Sequence, residues 1–317
     1  MSRPSVGAAT AVVFDRVTKR YADVVALREV SLSIMRGEMF GLIGPDGAGK
    51  TTAIRVICGL LQTDAGVVRV LDMDPVRDHR RLTGAVGYLS QRFSLYGDLS
   101  IDENIAFFAE IHGVRDYGTR RDRLLDLTQL APFRSRLADR LSGGMKQKLA
   151  LACTLVHEPE LIVLDEPTTG VDPVSRREFW KLLSEFLAQG ITILMATPYL
   201  DEAERCSRVA LLHEGRLLAL DQPGALRAGL PGVLFEVIVA EHRRALAILR
   251  ELPGVTDVQM FGERAHVRLA ASDPGAGDRI AAGLGEAGLH VSSVRPIAPS
   301  LEDVFIARLT SRHGTAP

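Results

Sequence analysis

The sequence predicts an α/β core followed by a smaller α+β unit, and three observations carry that reading. In EMFGLIGPDGAGKTTAIRVICGL, residues 38–60, a strand-like run from Met39 to Ile43 enters a glycine-rich loop and leaves as a helix. A second apolar strand, in LIVLDEP at 161–167, ends on two adjacent carboxylates. After Gln222-Pro223-Gly224 the composition changes, and the remaining chain follows a β-α-β-β-α-β pattern.

Composition narrows the class before any motif is read. With 317 residues, 46% hydrophobic and 24% charged, the chain is long enough for two globular domains. Its 38 basic and 39 acidic side chains leave no overall basic field to attract nucleic acid or an anionic lipid surface. No stretch approaches the roughly 18 uninterrupted apolar residues of a membrane-spanning helix. Met1 to Thr10 lacks the basic start and apolar centre of a signal peptide, and Cys58, Cys153 and Cys206 make no paired framework. These features predict a cytoplasmic protein.

The first strand–loop–helix carries the spacing G-x-x-x-x-G-K-[ST] at residues 44–51. Gly44, Gly47 and Gly49 let the backbone turn its N–H groups inward, and the helix that follows presents its positive end to the same point. Such a cradle suits phosphates: Lys50 can reach the β- and γ-phosphates of a nucleotide, and Thr51 can offer its hydroxyl to Mg²⁺. A nucleotide site also needs a metal holder and a water activator. Asp165 can hold the Mg²⁺ shell, and Glu166 can orient or deprotonate the attacking water. Between these two segments lies RLSGGMKQKLALACTLVHEP, residues 140–159, where Ser142, Gly143 and Gly144 open an amphipathic helix whose amino end is a second anion site.

Taken in order, the phosphate loop, Gln91, LSGGM, LDEP and Asp172 resemble the nucleotide-binding domain of ABC (ATP-binding cassette) transporters over residues 11–222. The resemblance implies a P-loop NTPase fold, with a RecA-like core and a helical subdomain at about 91–157. It implies that ATP is held by Tyr21, stacked on adenine, and by Gly44, Pro45, Asp46, Gly47, Ala48, Gly49, Lys50, Thr51 and Thr52. Gln91 resembles the residue that senses Mg²⁺ and the attacking water, so the implied Mg²⁺ set is Thr51, Gln91 and Asp165, with Glu166 and Gln91 catalytic. Leu141, Ser142, Gly143, Gly144 and Met145 resemble the signature that closes over a partner's γ-phosphate, and Asp172 resembles the aspartate that reaches across to that partner. A homodimer, or a heterodimer with a related cassette, would therefore sandwich two MgATP.

Three departures from the family pattern stand out. Asp46 occupies a position where asparagine is commoner, and Met145 replaces a more frequent glutamine. The resulting LSGGMKQK is similar to the version in bacterial exporters of drugs, lipids and polysaccharides, whose permease subunits are separate chains and hold the ATPase at the inner face of the cell membrane. Pro198 stands where most relatives carry a histidine aimed at the γ-phosphate, a switch position. Locally, ILMATPYLDEAE at 193–204 reads as a strand ending at Thr197, which caps a helix with Pro198 at its first position. Slow but real hydrolysis is the expectation.

The segment QRFSLYGDLSIDENIAFFAEIHGV, residues 91–114, begins the helical subdomain, with Ile105, Phe108, Ala109 and His112 along one helical face. In relatives the surface after Gln91 receives a helix of the membrane subunit, which makes Phe93, Leu95 and Tyr96 candidate socket residues, with ordinary core packing as the alternative. Residues 233–310 read as a ferredoxin-like accessory domain. Some domains of that shape bind RNA, but eight Arg or Lys against ten Asp or Glu give this one a net charge of −2, and no nucleic-acid partner is expected. In PSLEDVFIARL, residues 299–309, Ser300 and Asp303 have capping spacing ahead of an apolar face. The function expected is that of an ATPase subunit of an exporter. The alternatives are a soluble ABC ATPase of translation or DNA repair, disfavoured by a single cassette with no heptad run, and a non-hydrolysing regulatory cassette, which rests on Pro198 alone.

Overall fold

Strands β1 (Thr10–Tyr21) and β2 (Val24–Met35) pair antiparallel, and in β2 the period of two sends Val30, Leu32 and Ile34 into the core. The structure is a computed structural model that describes residues 10–91, 94–271 and 273–313, and it divides between Gln222 and Pro223 into two units. β3 (Met39–Ile43) is buried at every position and leads through the glycine loop into α1 (Lys50–Ile57). β4 (Ala65–Val70) then pairs with β1 to complete a three-stranded sheet, β2-β1-β4.

After α2 (His79–Ala85) and β5 (Val86–Leu89), three helices follow: α3 (Ile101–Ile111), α4 (Gly118–Leu127) and α5 (Gly143–Leu155). α3 starts at a reciprocal cap, in which Glu103 N–H donates to Ser100 Oγ at 3.3 Å and Ser100 N–H donates to Glu103 Oε2 at 2.7 Å. Along α3, Ile105 and Ala109 are buried and Phe108 is half-buried, as is His112 at its C-cap. The remaining elements of the first unit are β6 (Leu161–Asp165), α6 (Pro173–Ala188), β7 (Thr192–Thr197), α7 (Leu200–Ala203), β8 (Arg208–His213) and β9 (Arg216–Asp221).

The main sheet runs β5-β6-β7-β3-β8-β9, parallel throughout except for β9. β6, β7 and β3 lie side by side and are buried at every position, as expected for parallel strands covered on both faces. Their carboxyl ends therefore open onto one crevice, the place where open α/β sheets hold ligands.

The helix after β7 begins at Leu200, not at Pro198: Tyr199 is its N-cap residue, and Thr197 Oγ1 accepts the Tyr199 N–H at 3.1 Å in a short turn of its own. Pro198 thus sits in a connection, where its ring restrains φ but starts no helix. Of the socket candidates, Phe93 lies outside the described residues, Leu95 is half-buried, and Tyr96 is exposed with its ring 4.4 Å from that of Phe107. No helix among the described residues is long and apolar enough to cross a membrane. Cys58, Cys153 and Cys206 are unpaired and buried, and burial pushes the Cys58 and Cys206 thiols up to about 12.

The second unit comprises α8 (Pro223–Ala228), β10 (Val233–Val239), α9 (His242–Glu251), β11 (Val255–Phe261), β12 (Arg264–Leu269), α10 (Ala276–Glu286), β13 (Val291–Ile297) and α11 (Leu301–His313). Its antiparallel sheet has the order β11-β12-β10-β13, the arrangement of a split β-α-β fold. Val237, Val267, Leu249 and Ile280 belong to the core between this sheet and α9 and α10. Elsewhere in the sheet Glu236 pairs with Arg295 at 2.7 Å, and His266 Nδ1 lies 2.7 Å from Asp303 Oδ1. Ser300 and Asp303 cap α11 as their spacing suggested, with Ser300 N–H donating to Asp303 Oδ2 at 2.8 Å.

Candidate functional site

The loop between β3 and α1 depends on glycine at two points where a side chain cannot be accommodated. A Cβ on Gly44 would lie 2.3 Å from the Leu212 carbonyl oxygen, and Gly49, at φ +103°, would place one 2.4 Å from that of Ala26. The chain can thus pass between β8 and β2 and still bring Lys50 to the head of α1. Lys50 is only 4% exposed; its ammonium donates to the carbonyls of Gly44 at 2.8 Å and Pro45 at 3.1 Å and lies 3.4 Å from Glu166 Oε1. Those partners are what make a buried ammonium tolerable.

The acidic pair enters from the end of β6. Asp165 Oδ1 accepts the Thr51 hydroxyl at 3.3 Å. Burial raises the Asp165 pKa, with the Thr51 hydrogen bond working against that rise and the neighbouring Glu166 charge adding to it. Glu166 adopts the left-handed φ of +51°, and its N–H donates to the Ala196 carbonyl of β7 at 2.9 Å. Its carboxylate is then held between Lys50 and Gln91, whose Nε2 donates to Oε2 at 3.0 Å. One constellation therefore gathers residues from the ends of β3, β5 and β6.

These groups face a cleft of about 870 Å³ lined by Tyr21, the loop residues Asp46 to Thr52, Gln91, Glu166 and Pro198. Gly44, Pro45 and Asp165 are not lining residues; the first two hold Lys50 through their carbonyls, and the last meets the cleft through Thr51. Arg28, Glu214, Thr169 and Tyr199 also line it and were not singled out in the sequence. Arg28 and Glu214 carry no motif; they arrive because β2 and the β8–β9 turn meet there, with Arg28 Nε donating to the Glu214 carbonyl at 3.2 Å.

Known proteins share both the sequence and the arrangement. The ABC transporter family model matches residues 27–169. The chain is 41% identical over 289 residues, 90% of its length, to the probable multidrug ABC transporter ATP-binding protein YbhF of Escherichia coli, and it spans about half, 49%, of that relative. It is 36% identical to the Nod factor export ATP-binding protein I of Mesorhizobium japonicum, covering 98% of this chain and 90% of the relative. The chain belongs to the ABC transporter ATP-binding family. The first unit also resembles the dimeric bacterial ABC transporter cassette MJ0796, with a TM-score of 0.59 and 26% identity over 67% of this chain and 98% of that one.

Other family positions of this cassette lie away from the cleft. Leu141 to Met145 and Asp172 do not line it. Ser142 is the N-cap of α5 and accepts the Met145 N–H at 3.3 Å; Gly144 sits so close to Ser175 that a Cβ would be 2.2 Å from its Oγ. Asp172 caps α6, accepting the N–H groups of Val174 and Ser175 at 3.0 and 2.9 Å, and its hydrogen bonding to Ser175 holds its carboxyl below the usual range. Two further buried residues tie the motifs together. Gln147 of α5 donates to the Pro167 carbonyl, and Glu202 of α7 accepts the hydroxyls of Thr168 and Thr197. Neither was legible in the sequence, where Gln147 is one polar residue in an amphipathic helix and Glu202 one acid in DEAE.

Proposed function

We propose that this cassette binds MgATP, closes as a dimer and hydrolyses ATP to drive export through a separate membrane permease that holds it at the inner face of the membrane. The observation that carries this reading is the meeting of Lys50, Thr51, Asp165, Glu166 and Gln91 at one end of the sheet. Tyr21 stacks on adenine, and the backbone of residues 44–52 cradles the phosphates. Asp165, Thr51 and Gln91 offer carboxylate, hydroxyl and amide oxygens, the hard donors Mg²⁺ takes, and the Thr51–Asp165 hydrogen bond already brings two of them together. The bound ion would supply positive charge to the phosphate oxygens. Lys50 adds a fixed cation at the same point. Glu166, its carboxylate steadied by the Gln91 amide, takes the proton of the attacking water.

Dimerisation follows from the position of the signature. Leu141 to Met145 present the amino end of α5 away from their own cleft, so a second cassette is the natural acceptor of that anion site, and Asp172 likewise lies outside the cleft. The dimeric MJ0796 cassette supports this arrangement. Residues 11–222 act as the nucleotide-binding domain and 233–310 as an accessory domain. The export reading is favoured by the YbhF and Nod factor relatives over a role in translation or repair.

Glu166→Gln tests the proposal. Loss of the proton acceptor should lower phosphate release by roughly a hundredfold or more, while MgATP should drive the variant into dimers by light scattering. A variant that stays monomeric at saturating MgATP would count against the dimer. Absence of phosphate release from the parent protein, with and without permease, would favour a regulatory cassette.

A further inference from the structure

Away from the nucleotide cleft, α4, the carboxyl end of α5 and the turn between α6 and β7 enclose a second cavity of about 370 Å³. Leu124, Leu127, Leu155, Phe186 and Ile191 make its apolar lining. Arginines 36, 120 and 123 make a cationic rim, answered by the carboxylates of Glu158 and Glu160.

The three arginines are not equally satisfied. Arg36 pairs with Glu160 at 2.6 Å and Asp72 at 3.3 Å. Arg120 pairs with Glu158 at 2.7 Å and donates to the Val156 carbonyl at 2.6 Å, and its Nε is buried away from solvent. Among the described residues, Arg123 meets only the neutral Gln189 side chain, at 2.7 Å. Arg120 and Arg123 are three residues apart on α4 and so share a helical face. Among the described residues, Arg123 thus sets a guanidinium without a carboxylate at the rim of the apolar hollow. A ligand carboxylate would give Arg123 the charge-assisted partner that the neutral Gln189 amide does not.

We propose that this cavity binds a small amphiphilic monoanion, its carboxylate taken by Arg123 and its apolar body laid along Leu124, Leu127 and Phe186. The cavity is at the small end of ligand-pocket sizes, which matches a medium-chain carboxylate and excludes a bulky one. Bound there, the molecule bridges α4 to the α6–β7 turn. The site stands apart from the nucleotide reading, since no residue is common to the two cavities.

Octanoate is the probe, titrated into the full chain by calorimetry, with octanol lacking the head and acetate lacking the tail. A saturable single-site heat is expected, with a Kd on the order of millimolar for so few atoms. Octanol and acetate should bind far more weakly. Arg123→Ala and the milder Arg123→Gln should each weaken octanoate at least about tenfold, as loss of a charge-assisted hydrogen bond implies, while ATP affinity stays at the parent value. Octanoate should also slow amide exchange in α4 and the α6–β7 turn. Octanol binding as tightly as octanoate, or octanoate affinity unchanged in both Arg123 variants, would overturn the proposal.

Discussion

Glu202 is the residue whose replacement should reveal how the switch connection is held. It is 1% exposed, and its two oxygens accept the hydroxyls of Thr168 and Thr197, each 0% exposed. Thr197 Oγ1 in turn accepts the Tyr199 N–H, so one carboxylate fixes both sides of Pro198. Glu202→Ala leaves two buried hydroxyls unmade at about 1–3 kcal/mol each. Part of that cost is offset, because the protein no longer buries a carboxylate. A net loss of about 3 kcal/mol is expected, which for a unit of this size lowers Tm by roughly 6–12 °C. Glu202→Gln keeps the shape and one acceptor and should cost about 1 kcal/mol. Thermal melts of both variants, with Thr168→Val alone and combined with Glu202→Ala in a double-mutant cycle, measure the coupling directly. If Glu202→Ala melts within about 2 °C of the parent, or if the cycle closes without coupling, the network does not hold the connection as argued.

Pro198→His should leave ATP hydrolysis unchanged or raise it, by up to about a hundredfold if the new ring supplies a missing donor; a fall in turnover would mean that the site has been rebuilt around the proline. Gly49→Ala combines a left-handed φ of +103° with a Cβ 2.4 Å from the Ala26 carbonyl and should weaken ATP affinity by more than about tenfold in a binding titration; parent-like affinity would show that the loop relaxes freely. His157 supplies a pH dependence. Burial, then the charge of His112 stacked 3.8 Å from it, lowers its pKa from 6.5 to about 4. The unfolded chain therefore binds the extra proton between those values, so this contribution to stability is complete above pH 6.5 and is lost as pH falls toward 4. After allowance for partial solvent screening it amounts to about 2 kcal/mol, and His157→Gln should flatten the fall in Tm across that window relative to the parent. Identical pH profiles would refute it.

Much of the cassette was already determined by its sequence, and for a physical reason. A glycine loop between a buried strand and a helix has few other conformations, so 44–51 announced its local structure, and the phosphate proposal rests on that cradle. The caps at Ser142 and Ser300 were equally local, since each joins groups only three residues apart. Pro198 shows where local logic stops: Thr197 spends its hydroxyl on Glu202 and the Tyr199 N–H, which delays the helix to Leu200. Tertiary structure alone decided which distant residues meet. The β6-β7-β3 strand order brings Glu166 to Lys50, and the crossing of β2 past the β8–β9 turn brings Arg28 to the cleft. Gln147 reaches Pro167, and Glu202 reaches Thr168, for the same reason. A side chain's periodicity tells which face it takes, but its partner is set by which element packs against that face.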